Sequence, residues 1–407
     1  MPRSVPNIRH LRAFREVARS RSISTASTRV HLSQPAITQA IAKLEAQLGV
    51  TLFERRSDGM FPTEPGELFL NRVGRALDTI RAGAREAVRL GARRGARGFA
   101  EFGNLLTTAQ LRALVAMSRA GNFSLAARSV GVSQPTLHRA ARDLERLTGL
   151  PLFEKTGQGI ELSRAAEAMA QNVKLAFAEL EQGFDELDRW LGTDTGRIVV
   201  GTLPLARTFI LPWAINALLR DRPEVRISVI DGPYGDLLHG LRHGDIDMMI
   251  GALRDPVPID DVVQEPLLDD LVAVVGRAGH PLAGRTDISV ADLARHPWVV
   301  PRAETPTRRF FEALFRDAGL AGPTNVVESS SLVLIRGLLL DSDRLTMIST
   351  HQIRNEAQLG LLAPLPLATG RTRRPIGLTL RRDWRPTATQ VRFLDLLREA
   401  GRRAQSD

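Results

Sequence analysis

The sequence predicts a multidomain protein: two all-α helix-turn-helix modules with long trailing helices, then an α/β domain. Three observations carry this. First, the 407-residue chain matches itself without a gap at an offset of 100. Leu11-Arg12-Ala13 returns as Leu111-Arg112-Ala113, Ser33-Gln34-Pro35 as Ser133-Gln134-Pro135, Leu44-Glu45 as Leu144-Glu145, and Leu52-Phe53-Glu54 as Leu152-Phe153-Glu154. Self-similarity at a fixed period marks a duplicated structural unit. Second, each copy holds a helix with well-marked ends and two unlike faces. Third, helical spacing stops at Gly192-Thr193-Asp194-Thr195-Gly196, and β-branched runs alternating with helical stretches begin.

In the first module, Leu11, Phe14, Val17 and Ala18 have the spacing of a core helix over Ile8–Ser20. Ser24, Thr25, Ala26 and Val30 suit a shorter helix, joined to the next by a His31-Leu32 turn. Ser33 is then an N-cap, Pro35 sits in the first turn where its missing N–H costs nothing, and Gly49 is a C-terminal stop. Ile37, Ile41, Leu44 and Leu48 form one buried stripe, which leaves Gln34, Thr38 and Ala42 on the free side. A second helix so placed can enter the DNA major groove. Beyond it, residues 50–56 turn at Ser57-Asp58-Gly59 into Met60-Phe61, a hairpin with basic residues near its tip. Arg55 and Arg56 suit phosphate contact; the plainer reading is a solvated charge pair with Glu54.

Charge favours a polyanion. Lys and Arg number 55 against 45 Asp and Glu, a net +10, and the first hundred residues alone hold 18 against 8, the same +10. An arginine-rich composition is the bland alternative, which the helix motif outweighs. There is no cysteine, so disulfides and thiolate metal sites are excluded. Neither a charged-then-apolar leader nor a long uncharged apolar run occurs, which predicts a cytoplasmic protein.

Residues 64–90 read as a long helix with Phe69, Val73, Leu77, Ile80, Ala84 and Val88 along one seam. Such a seam predicts pairing with a second chain; packing within its own chain is the alternative. Residues 91–98 read as a flexible basic linker. The second module repeats the capped helix, with Leu137, Ala141 and Leu144 inward and Gln134, His138 and Arg142 outward. Its hairpin is less basic, Arg55-Arg56 becoming Lys155-Thr156. A second seam runs from Ala166 through Met169, Val173, Ala176, Leu180, Phe184, Leu187 and Leu191, with an acidic face expected to be exposed.

At Ser33, Gln34, Pro35, Leu44, Glu45, Gly49, Leu52, Phe53, Glu54 and Arg55 the chain resembles the LysR-type transcriptional regulators, whose winged helix-turn-helix has this pattern. It departs from them in carrying two such modules. The resemblance implies DNA contacts from Ser33, Gln34, Pro35, Thr38, Gln39 and Lys43, with Arg55 and Arg56 on the wing. In the second copy it implies Ser133, Gln134, Pro135, His138, Arg139, Arg142 and Lys155. The expected layout is 1–63 and 104–163 for the modules, 64–103 and 164–194 for their linkers, and 195–407 for an effector domain.

Strand-like runs at 225–230, 248–250, 271–275, 298–300 and 345–348 alternate with helical stretches, which predicts mainly parallel sheets. Their order, with Leu211-Pro212, Gly244-Asp245-Ile246-Asp247 and His280-Pro281-Leu282-Ala283, resembles the family's effector domain. That domain has a two-lobed type 2 periplasmic-binding-protein fold, here with lobe 1 at about 195–265 and 362–407 and lobe 2 at about 266–361. By resemblance an effector sits between the lobes against Thr202, Leu203, Leu205, Tyr234, Thr305, Ser329, Ser330 and Ser331. The hydroxyls and a helix N-terminus suit a sugar, a sugar acid or another organic acid; the three serines also suit a plain N-cap. Asp341-Ser342-Asp343-Arg344-Leu345, in place of the family's Gly-rich turn, resembles the sugar-responsive galactose-binding-protein-regulator branch.

Catalysis finds no convergent residues. Asp245-x-Asp247 reads as a structural turn, and His239 and His243, four apart on a helix, lack a third ligand at a recognisable interval, so no metal or cofactor is expected. Phosphate-cradling and activated-serine motifs are missing. The expectation is therefore a sequence-specific, effector-controlled DNA-binding regulator, at least dimeric, with RNA polymerase as a further partner. The alternatives are an enzyme built on the two-lobed fold and a nonspecific architectural DNA binder.

Overall fold

The computed structural model describes residues 4–92, 102–157, 159–303, 305–367 and 372–406. The basic stretch at 93–98 lies outside them. The chain forms two compact units, one mainly of residues up to Arg197 and one mainly from Ile198 onward.

The first unit opens with α1 (Ile8–Ser20), α2 (Ile23–Val30), α3 (Gln34–Leu48), the hairpin β1 (Phe53–Arg56) and β2 (Gly59–Pro62), and α4 (Glu64–Ala92). It continues with α5 (Thr108–Ala120), α6 (Phe123–Ser129), α7 (Gln134–Thr148), β3 (Phe153–Thr156), β4 (Gly159–Leu162) and α8 (Arg164–Trp190). All six elements of the second set start 100 residues after their counterparts. The ends are set by side chains: Ser33 and Ser133 accept hydrogen bonds from the N–H groups of Ala36 and Thr136, and Gly49 and Gly149 close the helices at φ 74° and 67°. Glu45 Oε1 accepts from the N–H of Leu52 at 2.7 Å, and Glu145 Oε1 from that of Leu152 at 3.0 Å. The Leu-Glu motif thus ties α3 and α7 each to its hairpin.

The expected seam between chains is closed within one chain. Helices α4 and α8 pack along their lengths, burying Phe69, Val73, Leu77 and Ile80 against Met169, Val173, Leu180 and Leu187. The Phe69 and Phe184 rings stack at 5.9 Å. The acidic face expected to be exposed on α8 turns partly inward, because α4 presents two arginines to it. Arg72, only 5% exposed, donates to Glu179 at 2.9 Å, Gln182 at 3.0 Å and Glu186 at 3.1 Å. Arg75 grips the same Glu179 through two nitrogens at 3.0 and 2.9 Å. A seam with its partner tethered in the same polypeptide meets it at high effective concentration. Apart from Leu191, which stays exposed, both apolar stripes are therefore covered within the chain.

The second unit runs β5 (Arg197–Thr202), α9 (Ile210–Asp221), β6 (Arg226–Asp231), α10 (Tyr234–Arg242), β7 (Met248–Ala252), β8 (Val262–Arg277) and α11 (Val290–Ala294). Next come β9 (Trp298–Val300), α12 (Pro306–Asp317), β10 (Val326–Glu328), α13 (Leu332–Leu340), β11 (Leu345–Ser349) and α14 (Arg354–Gln358). It ends with β12 (Leu362–Pro364), β13 (Arg373–Arg381) and α15 (Ala388–Ser406). Sheet order is β10-β9-β11-β8-β13-β7-β5-β6, with β12 also on β8. Parallel pairs join β5 to β7 and β9 to β10 and β11, while β8 and β13 run antiparallel to their neighbours. The sheet is therefore mixed, where mainly parallel pairing was expected. Strand β8 joins the two parts of the sheet: it pairs with β13 through Leu271 and then with β11 from Val272. A bulge at Ile376/Gly377 re-aims β13, and a Cβ on Gly377 would lie 2.0 Å from the Glu265 carbonyl oxygen, so only glycine fits.

Candidate nucleic-acid interface and ligand cleft

Between the start of α3 and the β1–β2 hairpin lies an open trough of about 1230 Å³. Gln34, Pro35, Thr38, Gln39, Arg55 and Arg56 line it, together with Arg21. The hairpin is held there by the α1–α2 turn: the Met60 N–H donates to the Arg21 carbonyl at 3.0 Å, and Gly59 passes too close to that oxygen for a Cβ. Phe61 is flanked by the guanidinium carbons of Arg21 and Arg56, each 4.8 Å from the ring centre. Arg56 also pairs with Glu54, so the solvated pair weighed from the sequence forms for Arg56. Arg55 is exposed and has no ion pair among the described residues. Lys43 is exposed outside the trough lining, and Ser33 acts as the N-cap. Arg21 was missed because it lies in a turn ahead of the motif.

The second head keeps the scaffold and changes its side chains. Gln134 accepts from the Ser124 hydroxyl at 2.8 Å, and Arg142 donates to Glu145 at 2.6 Å. His138 stands edge-on to Phe123 at 4.8 Å. Pro135, Arg139 and Lys155 are exposed, and Ser133 is the cap. Two of its polar groups are thus already engaged inside the protein.

In the second unit a cleft of about 950 Å³ is lined by Thr202, Leu203, Leu205, Tyr234, Thr305, Ser329 and Ser330. Ser331 is absent from the lining; its hydroxyl caps α13 by accepting from the Leu334 N–H. Thr202 is fully buried and donates to the Leu203 carbonyl at 3.1 Å, and Thr305 caps α12. The sequence missed the basic lining: Arg207, Arg254, Arg302 and Arg374, scattered too widely along the chain for any local motif to announce them. Arg374 donates to Asp270 at 3.0 Å and to Thr307 at 2.6 Å, and Arg207 faces Asp231 at 3.3 Å.

Arg254 is different. Its guanidinium lies over the Tyr234 ring at 4.4 Å, and its Nη1 is buried without a hydrogen-bond partner among the described residues. Burial pulls this guanidinium below its usual value; the Tyr234 hydroxyl opposes that shift, and Arg309 and Arg374 add to it. A buried, unpaired cationic donor costs free energy until an acceptor arrives. Among the described residues no cluster of three or more His, Asp or Glu could hold a metal ion, and no helix is long and apolar enough to cross a membrane.

Comparison with known proteins places the chain. Residues 8–67 and again 108–167 match the bacterial regulatory helix-turn-helix protein, lysR family, and residues 191–402 match the LysR substrate binding domain. The HTH-type transcriptional regulator GalR of Pseudomonas putida is 36% identical over 395 residues, 97% of each chain. The regulator PcaQ of Agrobacterium fabrum is 30% identical over 71% of this chain and 93% of its own. A full-length OxyR variant from Pseudomonas aeruginosa shares the fold at TM-score 0.53 and 24% identity, covering 73% of this chain and 95% of its own. CbnR in complex with its target DNA does so at 0.50 and 21%, covering 72% and 98%. With both modules and nearly all of the second unit matched, the chain belongs to the LysR family of DNA-binding transcription regulators, proteins with a substrate-binding effector domain rather than enzymes.

Proposed function

We propose that the protein is a cytoplasmic regulator that reads duplex DNA through the trough beside α3 and responds to an organic acid held in the cleft of its second unit. The observation that carries the effector class is the buried, unpartnered Nη1 of Arg254. A carboxylate would supply the missing acceptor and form a charge-assisted hydrogen bond. Thr305, Ser329 and Ser330 add hydroxyls for the rest of the ligand, so hydroxy acids and sugar acids fit better than neutral sugars. Gln34, Thr38 and Gln39 face the bases in this reading, and Arg55 takes phosphate. RNA polymerase is the further partner through which such a regulator acts. A homodimer would assemble through surfaces other than α4 and α8 and would carry four reading heads.

Thermal-shift screening of sugars, sugar acids and other organic acids tests the effector class. A ligand at 100 times its Kd stabilises its domain by about 2.7 kcal/mol. Acids are expected to raise Tm, neutral sugars to leave it unchanged, and Arg254→Gln to abolish the shift. A shift from neutral sugars that survives Arg254→Gln sinks the reading. DNase footprinting on the promoter region tests the DNA half: no protection above competitor DNA, with any acid present, rejects it.

A further inference from the structure

We propose that one chain forms a complete two-headed DNA reader with internal pseudo-twofold symmetry, and that its partner is a directional duplex: an inverted pair of unlike half-sites. The claim rests on the DNA-binding reading above and concerns how many chains and which DNA it takes. Its warrant is the way contacts across the seam exchange under the offset of 100.

Gly83 of α4 approaches Asn172 of α8 so closely that a Cβ would meet the Asn172 Cβ at 2.5 Å. The equivalents of these residues are Gly183 and Arg72, and a Cβ on Gly183 would meet the Arg72 Cβ at 3.1 Å. The same contact is thus made twice with the roles of the two copies reversed. That is the signature of an isologous, twofold interface, here between halves of one polypeptide. Arg75 against Glu179 fits the same antiparallel register. A twofold arrangement also needs points where a residue meets its own equivalent. The Ile8 N–H donates to the Thr108 hydroxyl at 2.9 Å, and those positions are 100 apart. Arg12 fastens the same junction by donating to the carbonyls of Gly103 at 2.6 Å and Leu106 at 3.3 Å. Burial and the neighbouring Arg15, Arg9 and Arg81 lower this guanidinium to about 10, which marks how far it is withdrawn from solvent.

Recognition elements related by a twofold read inverted half-sites. Homodimers read identical halves because their heads are identical. In this chain they are not: exposed Thr38 and Ala42 of α3 correspond to exposed His138 and Arg142 of α7. A small, weakly donating face and a face with imidazole and guanidinium donors select different base edges. The preferred duplex therefore has a polarity that fixes which way round the protein sits.

The chain has no cysteine, which makes the pairing directly testable. Gly83→Cys with Asn172→Cys, oxidised in the folded full-length protein, is expected to give a disulfide within a single chain. An equimolar mixture of the two single-cysteine chains is expected to give no covalent dimer. Should the glycine variant not fold or not bridge, its Cβ positions being closer than a disulfide spans, Arg75→Cys with Glu179→Cys, which removes an ion pair as a unit, decides with a short bismaleimide. Covalent dimers from the mixture, or a folded Arg75→Cys/Glu179→Cys chain that the bismaleimide does not bridge, overturn the proposal. In a second arm, the full chain selects duplexes from a random library. Two unlike boxes in fixed order are expected, and Thr38→His with Ala42→Arg should raise affinity at least tenfold for an inverted repeat of the second box. A perfect palindrome for the natural chain, or no change in preference, overturns it. A library yielding no sequence overturns the DNA reading itself, and the cysteine arm, which needs no DNA, separates the two failures.

Discussion

Thr38 in the first head and His138 in the second occupy the same place on the same capped helix, yet one donates back to the Gln34 carbonyl at 3.1 Å and the other leans on Phe123. The same contrast recurs beneath the surface. Arg72 is buried in an ion-pair network on α8, while its equivalent, Asn172, donates to the Ala168 carbonyl of its own helix at 2.9 Å. Caps, wing anchors and the buried positions of the stripes are held in common, so they belong to the scaffold. Some of what differs is turned toward the proposed DNA, as at Thr38 and His138, and some is placed where the copies meet, as at Arg72 and Asn172.

The largest expected effect breaks that inner asymmetry. Arg72→Ala leaves Glu186 without its guanidinium and Glu179 with only Arg75, which should cost on the order of 3 kcal/mol, since removing one partner of a buried pair strands the other charge. Asn172→Ala loses one ordinary hydrogen bond and should cost about 1 kcal/mol. Urea denaturation of the full chain compares them, and equal losses would show that the two positions bear the seam alike.

Next in size is the reading asymmetry. Gln34→Ala with Thr38→Ala should abolish specific binding, whereas Gln134→Ala with Arg142→Ala should weaken it and shorten the footprint. Each base contact contributes about 1 to 3 kcal/mol of discrimination. Competition against nonspecific DNA at fixed salt decides, and the reverse ranking would make α7 the principal reader. The ion pair of Arg142 with Glu145 argues for the stated order, because it competes with a base for the guanidinium.

Acid should loosen the seam. Burial raises the Glu179 carboxyl, but hydrogen bonds and charge from Arg75 and Arg72 outweigh it and hold the group below its usual 4.5. A depressed carboxylate stabilises the fold fully above 4.5, and the contribution is lost as pH falls through the depressed value. Stability measured from pH 7 to 3 should fall more steeply than in Glu179→Gln; parallel curves would refute the assignment. The smallest effect is on the wings. Arg55→Ala should lower the salt slope of DNA binding by about 0.9, and Lys155→Ala by less, read from affinity against salt concentration.

The duplicated heads were legible because local signals define them: Ser33, Pro35 and Gly49 mark a helix whatever surrounds it. The seam was legible as a stripe but its partner was not, because periodicity shows that Phe69 and Leu77 are covered and never by whom. The acidic face of α8 was misread for the same reason, since Glu179 is inward only because Arg72 and Arg75 stand opposite. Strand β8 was seen only from Leu271 onward, as Pro266 and Asp269-Asp270 break its apolar run. In the cleft, seven of the eight residues expected by resemblance line the cavity. The arginines did not announce themselves, because Arg254, just after β7, and Arg374, on β13, come to one cleft only through the pairing of β7 with β13.

The exchange of Gly83 and Asn172 for Gly183 and Arg72 has a meaning for how such a protein changes over generations. In an assembly of identical subunits every substitution at a symmetric contact is made twice, so a change helpful on one side is imposed on the other. Fusion of two copies into one gene lifts that constraint. An arginine can enter one half and an asparagine the other, and the exposed face of one head can change while its twin keeps the old one.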